Sequence, residues 1–274
     1  MLDFLKAVFL GVLQGLTEFL PISSSAHLRI FPELFGWGDP GAAFTAVIQI
    51  GTELAVLLYF RKDIWRIGST GVRSLYKPEL RGELDSRMGW YIIVGSLPIV
   101  ILGVLLKDVI ETNFRNLWVI GTTLIVLGII LGVADRVGRM DRTIERMTLR
   151  HSVYLGLAQA CALVPGVSRS GATISMGRFL GYDRAAATRF AFLLAIPAVV
   201  GAGLFELKEI PHGENAYGPG PTFIATVVSF LVGYAAIAWL LRYVTTRSYL
   251  PFVIYRILLG GGTLLLVAAG VLSA

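Results

Sequence analysis

Apolar residues in this chain gather into long runs, divided by short charged connectors. A bilayer core about 30 Å thick is crossed by roughly 20 apolar residues in helix, or about 17 to 25 with tilt. Six segments meet that length, at approximately 42–60, 89–106, 117–134, 187–206, 221–241 and 251–273. The few ionisable groups inside them are chiefly Glu53, Arg189 and Arg256. Two more apolar stretches, about 4–35 and 151–182, break near their middles at a proline followed by serines. One reads Leu20-Pro21-Ile22-Ser23-Ser24-Ser25, the other Val164-Pro165-Gly166-Val167-Ser168-Arg169-Ser170-Gly171. Backbone that leaves a helix in hydrocarbon loses its internal hydrogen bonds, which is tolerated only where protein or a water-filled cavity surrounds it. Both stretches are therefore expected to be re-entrant helix-loop-helix hairpins, since halves of about 17 residues or fewer are too short for two full spans.

The connectors orient the bundle, because Lys and Arg concentrate in cytoplasmic loops. Loop 61–87 carries seven (Arg61, Lys62, Arg66, Arg73, Lys77, Arg81, Arg87) and loop 135–150 five (Arg136, Arg139, Arg142, Arg146, Arg150). Loop 107–116 has two and 208–220 only Lys208. The two basic loops are thus expected in the cytoplasm, with 242–250, and both termini outside. The first hairpin then dips in from outside and the second from the cytoplasm, so that their broken loops meet near the midplane. Gly11-Val12-Leu13-Gln14 resembles Gly156-Leu157-Ala158-Gln159, and Leu97-Pro98-Ile99 is echoed by Ile196-Pro197-Ala198. Corresponding interrupted segments in two halves point to a membrane-embedded site. The expected fold class is an all-α integral membrane protein: six transmembrane helices plus two re-entrant hairpins in an inverted-topology repeat. It forms one membrane domain over 1–274, with repeats at about 1–140 and 150–274.

Composition agrees: 55% of the 274 residues are hydrophobic and 15% charged, against about 25% charged in an ordinary soluble domain, and the mean hydropathy is +0.72. The net charge of +6 comes mainly from the loops, so it reads as membrane orientation rather than nucleic-acid binding. Cys161 is the single cysteine and has no partner for a disulfide. No small-residue cleavage site follows a short apolar core after Met1, so the N-terminus is expected to belong to the fold.

Two constellations carry chemistry. Gln14 and Glu18 share a helix face, Ser23, Ser24 and Ser25 follow the proline break, and His27 opens the next half-helix. A carboxylate at membrane depth is a functional candidate by default, although the serines could merely cap a helix. The second constellation is Ser168, Arg169, Ser170, Gly171 and Thr173. An Arg near the bilayer centre needs an anionic partner or a polar cavity, and its planar fork suits phosphate. Glu18 is an alternative ion-pair partner with no ligand involved. Hydroxyls, a glycine for close backbone approach and a helix N-terminus add to an anion site. Arg256 either joins the site or snorkels to the interface. Glu53 and Gln49 either line the cavity or make an interhelical contact, and His151 and His212 are expected to be solvated. No spacing resembles a tight structural metal site, and no phosphate-binding loop or dinucleotide fingerprint is present.

The run Gln14 to His27, Gln-Gly-Leu-Thr-Glu-Phe-Leu-Pro-Ile-Ser-Ser-Ser-Ala-His, and Pro165 to Thr173, Pro-Gly-Val-Ser-Arg-Ser-Gly-Ala-Thr, closely resemble the bacterial undecaprenyl-diphosphate phosphatase family, associated with bacitracin resistance. The resemblance spans the chain, including the Pro-Phe-x-x-Tyr-Arg element ending at Arg256. It implies removal of the terminal phosphate of undecaprenyl diphosphate, which recycles the lipid carrier for cell-wall synthesis. It places the family's Glu/Gln-x-x-x-Glu element on Gln14 and Glu18, its Ser and His on Ser24 and His27, and its phosphate-binding Arg on Arg169. Ser23, Ser25, Ser168, Ser170, Gly171 and Thr173 flank these, with Arg256 as a second clamp. A divalent cation, Mg2+ or Ca2+, is implied at Glu18 and Gln14, although the uncharged Gln14 weakens that role. Ser25 and Ala26 stand where Thr and Gly are often found. The implied partners are a polyprenyl diphosphate lipid and membrane lipid, with no nucleic acid; a homo-oligomer stays open. The implied location is the bacterial plasma membrane, with the active site facing outward.

Phosphoryl transfer needs an in-line nucleophile and charge stabilisation on the transferred oxygens. Ser24 is the preferred nucleophile through a phosphoserine, with His27 or Glu18 taking its proton; attack by activated water is the alternative. A transporter of phosphorylated lipid is the rival from another class, since broken helices in inverted repeats are general transporter features. Transport needs the anion clamp but no nucleophile. The other membrane lipid-phosphatase superfamily fits poorly, because no His follows Ser168-Arg169 at comparable spacing.

Overall fold

The computed structural model describes residues 2–106, 116–209 and 215–273, and among them it contains helices and turns but no strand. Helices α1 (Leu2–Phe19) and α2 (Ser24–Leu34) form the first hairpin, followed by α3 (Ala42–Tyr59), α4 (Arg61–Arg73), α5 (Leu84–Leu105) and α6 (Leu117–Val137). The second hairpin is α7 (Leu149–Ala160) and α8 (Arg169–Phe179), and α9 (Arg184–Glu209), α10 (Pro219–Tyr243) and α11 (Leu250–Ala268) complete the bundle. Five of these, α5, α6, α9, α10 and α11, are long and apolar enough to cross a membrane; α3 qualifies only when counted together with α4, which is bent 69° from it. The protein is an all-α membrane protein.

Both apolar stretches interrupted by proline are helical hairpins, and their second halves, 11 residues each, extend only about 16 Å at 1.5 Å per residue. The two breaks are built alike. Ser23 caps α2 at φ 76° and Ser168 caps α8 at φ 69°, both in the left-handed region that residues other than glycine seldom occupy. Each hydroxyl accepts from the backbone N–H three residues on, Ala26 at 3.4 Å and Gly171 at 3.2 Å. This satisfies donors that a helix start leaves open.

The halves also exchange partners. Helix α1 packs on α10, and α7 packs on α5. Glycine permits the close approach at both crossings: a Cβ at Gly11 would collide with the Ala225 backbone, and one at Gly156 with Gly95. Helices α3 and α9 meet between these pairs, while α6 packs on α11.

The structure corrects several expectations. Connector 61–87 is not simply a loop: it holds α4, bent 69° from α3, and a 3-10 turn at Pro78–Gly82. The last span stops at Ala268 rather than near 273. His151 is half-buried, not merely solvated. Arg142 donates to its Nε2 at 3.2 Å, so Nδ1 carries the proton and donates to the Tyr182 hydroxyl at 2.7 Å. Burial, then the nearby Arg142 and Arg150, hold the His151 pKa below its usual value. Buried Arg178, unforeseen in the sequence, pins the end of α8 to α6 through Asp135, 3.2 Å from its Nε, and the carbonyls of Gly138 and Tyr182. Arg184 shares that carboxylate at 2.6 Å. Lys107, Arg115 and His212 lie outside the described residues.

Candidate active site

Residue spacing on α1 brings Gln14 and Glu18 to one face, and the capped start of α8 delivers Arg169 from the other half. They meet at the Glu18 carboxylate. Arg169 Nη2 donates to Glu18 Oε1, Ser24 Oγ donates to Oε2 at 2.6 Å, and Gln14 Nε2 donates to the same oxygen at 3.3 Å. Gln14 also donates to Thr52 on α3 at 3.3 Å. The N-termini of α2 and α8 both begin in these loops, so two positive helix ends converge near the carboxylate and guanidinium.

Beside this junction lies a narrow cleft of ≈20 Å³. Glu18, Thr52, Glu53, Arg169 and Ser170 supply its polar wall; Phe19, Phe192 and the stripe Ala191, Ala195, Val199 of α9 supply the apolar wall. Glu53 therefore lines the cavity, with Gln49 Nε2 donating to its Oε1 at 3.3 Å. Ser24 borders the cleft through its bond to Glu18, and the neighbouring Ser25 is exposed.

Arg256 is 0% exposed, so it does not snorkel. Its Nε donates to Leu124 O at 3.2 Å and its Nη1 to Pro21 O at 3.1 Å. Its Nη2 donates to Gly166 O at 2.9 Å and Val167 O at 3.1 Å. These carbonyls belong to both broken loops and to α6. Arg256 thus holds the loops together from behind, and its donors are taken by backbone rather than turned to the cleft. Gly171 is needed there, because a Cβ would sit 3.0 Å from Arg256 Nη1.

The remaining hydroxyls also work inside the protein. Ser23 and Ser25 lie 3.1 Å apart, as Ser168 and Ser170 lie 3.2 Å apart. Ser25 accepts from Gly166 N at 3.4 Å and Ser170 donates to Leu20 O at 3.2 Å, so each joins one loop to the other. Thr173 donates to Arg169 O at 2.9 Å. His27, expected as one of two proton acceptors for Ser24, is placed elsewhere. Ser23 O, 2.7 Å from Nδ1, can only accept, so Nδ1 carries the proton and Nε2 accepts from Tyr255 OH at 2.7 Å. The imidazole also stacks on Tyr255 and Phe31. Glu18 alone reaches Ser24.

Sequence reasoning missed Thr52, Tyr255 and Thr123, the last donating to Pro165 O at 2.8 Å. Their signal was a hydroxyl in an otherwise apolar span, one residue from Glu53 for Thr52 and one from Arg256 for Tyr255. Among the described residues no three His, Cys, Asp or Glu side chains group as a metal cage. The oxygen donors of Glu18, Glu53 and Thr52 around the cleft fit the other kind of site, in which Mg2+ is held by one or two carboxylates together with substrate phosphate.

Comparison with known proteins matches residues 7–262 to the family described as bacitracin resistance protein BacA. A protein of Nocardioides sp. named undecaprenyl-diphosphatase is 74% identical over 274 residues, covering all of both chains. One of the same name from Micrococcus luteus is 55% identical over 277 residues, again covering both chains in full. Undecaprenyl-diphosphatase 2 of Frankia casuarinae is 54% identical, over 99% of this chain and 97% of its own.

Proposed function

This chain belongs to the bacitracin resistance protein BacA family, and from that premise we propose that it is a membrane phosphatase converting undecaprenyl diphosphate to undecaprenyl phosphate and inorganic phosphate. The observation that carries the chemistry is the Glu18 carboxylate, bonded on one oxygen by Arg169 and on the other by the Ser24 hydroxyl at 2.6 Å. A hydroxyl becomes a useful nucleophile only beside a base, and transport alone would not require that pairing.

Arg169 turns its fork from Glu18 to the terminal phosphate when substrate enters, which leaves the carboxylate more basic. Ser24 Oγ then attacks phosphorus as Glu18 takes its proton, the bond to the bridging oxygen breaks, and undecaprenyl phosphate leaves. Glu18 passes that proton to the departing undecaprenyl phosphate, and as a carboxylate again it takes a proton from the water that attacks the phosphoserine, returning it to Ser24 Oγ as inorganic phosphate is released. His27 is a positioning residue, fixing the Ser23 carbonyl against α11 through Tyr255. A divalent cation held by Glu53 and Thr52 at the cleft, rather than by Gln14, whose amide nitrogen donates to Glu18 and Thr52, would neutralise charge on the substrate phosphates and leave Glu18 as the base. The prenyl chain lies along the apolar wall of α9 toward lipid.

The Lys and Arg distribution supports a plasma-membrane orientation with loops 61–87 and 135–150 inside and the α1–α2 loop opening outward, the two halves being inverted repeats. The test is phosphate release from undecaprenyl diphosphate by the purified protein, with and without chelator. Release that requires the cation supports the reading; lipid movement across vesicles with no phosphate release would replace it by transport.

A further inference from the structure

Helix α4 lies outside the cleft, tied to the spanning helix α9 by Asp63, 2.7 Å from Arg189. Its position is constrained by covalent continuity: a single residue, Phe60, separates it from the end of α3 at Tyr59. Phe60 is 0% exposed and anchors a 69° bend. For an α3 standing close to the bilayer normal, a helix leaving it within one residue at that angle runs nearer to the membrane plane than to the normal.

The side chains divide into three sectors. One packs on α5, through buried Ile67, which lies against Gly89, and through Arg66, whose Nε is 2.9 Å from Asp85. A second is apolar and bare: Trp65 is 78% exposed, Val72 54%, and directly after the helix Leu75 54% and Tyr76 70%. Trp65 and Val72 are seven apart and so fall on one stripe. Lys62, Arg66 and Arg73 lie about a quarter turn from it, given 3.6 residues per turn. Arg66 is engaged by Asp63 at 3.3 Å as well as Asp85, whereas Lys62, Arg73 and Lys77 are exposed.

We propose that α4 is an interfacial helix that docks on anionic lipid headgroups of the adjacent leaflet, with Trp65 and Val72 entering the acyl boundary and Lys62, Arg73 and Lys77 holding lipid phosphates. An apolar stripe bearing Trp beside a Lys/Arg stripe is the pattern of a helix lying in the membrane interface. The charge complements the anionic leaflet. A peripheral protein would have to displace headgroups that the Phe60 junction already brings to the helix.

The test uses the full-length protein with Trp65→Cys in a Cys161→Ser background, spin-labelled and reconstituted in vesicles of phosphatidylcholine with or without phosphatidylglycerol. Oxygen should relax the label more than an aqueous nickel chelate does. Native mass spectrometry should show phosphatidylglycerol enriched on the protein. Enrichment should fall in Lys62→Gln/Arg73→Gln/Lys77→Gln by up to roughly fivefold per charge removed, and a Lys62→Arg/Arg73→Lys/Lys77→Arg variant should keep it. A label relaxed mainly by the chelate would put α4 in water, and one shielded from both reagents would show a protein partner or second copy over it. Either result overturns the proposal, as does unchanged enrichment in the glutamine variant.

Discussion

Glu18 accepts from three side chains that the chain delivers from different places: Gln14 one turn earlier, Ser24 across the proline break and Arg169 from the other hairpin. Removing its charge should therefore remove the proton acceptor of Ser24. Glu18→Gln and Ser24→Ala are each expected to lower turnover by about 10² to 10⁴-fold, the range for a positioned proton-transfer partner, with little change in affinity for a non-hydrolysable diphosphate. Ser24→Ala must also abolish any phosphoenzyme trapped with labelled substrate. Arg169→Lys keeps the charge but not the bidentate fork and should lose most activity; near wild-type turnover would remove the clamp. His27→Ala should cost less, and His27→Ala with Tyr255→Phe should be no worse than His27→Ala alone, since the two side chains share one bond. Glu18, Ser24 and Arg169 were legible because an ionisable group in hydrocarbon demands a reason. That Ser24 bonds Glu18 rather than His27 was not, because the ring's orientation is set by Tyr255, more than two hundred residues away in sequence.

At the scale of elements, two breaks in hydrocarbon are held by one buried cation. Arg256 replaces the helix hydrogen bonds that Pro21 and the Pro165–Val167 turn forgo, bonding the Pro21, Gly166 and Val167 carbonyls at 2.9 to 3.1 Å. Arg256→Met fills similar volume but leaves those carbonyls unpaired, at about 1–3 kcal/mol for each buried acceptor. It should lower the unfolding temperature in detergent markedly and reduce activity with it. Arg256→Lys, with three donors on a flexible stem, should fall between. An Arg256→Met protein as stable as wild type would show that the loops are held elsewhere. The hairpins themselves were visible in sequence, because proline followed by serine interrupts an apolar run that is otherwise continuous. Helix α4 was not: Ile64, Trp65, Ile67 and Val72 are too few to register as a span, and only the packing of Ile67 on α5 separates its faces.

For the whole molecule the decisive property is orientation, since a diphosphate headgroup must reach Arg169 through a polar opening on one face; carrying its charge through hydrocarbon would cost several kcal/mol on most estimates. The packing of α1 on α10 and of α7 on α5 has no side of its own. The sidedness comes from charge: seven Lys and Arg in 61–87 and five in 135–150 oppose translocation of those loops. With them inside, as proposed, the α1–α2 loop is expected to open outward, with exposed Ser25 accessible from that side. Single cysteines at Ser25 and at Gly82 in a Cys161→Ser background separate the alternatives when intact cells meet a membrane-impermeant thiol reagent. Ser25→Cys should label and Gly82→Cys should label only after lysis. Labelling of Gly82→Cys from outside, with Ser25→Cys protected, would reverse the molecule in the membrane and move the reaction to the cytoplasmic face.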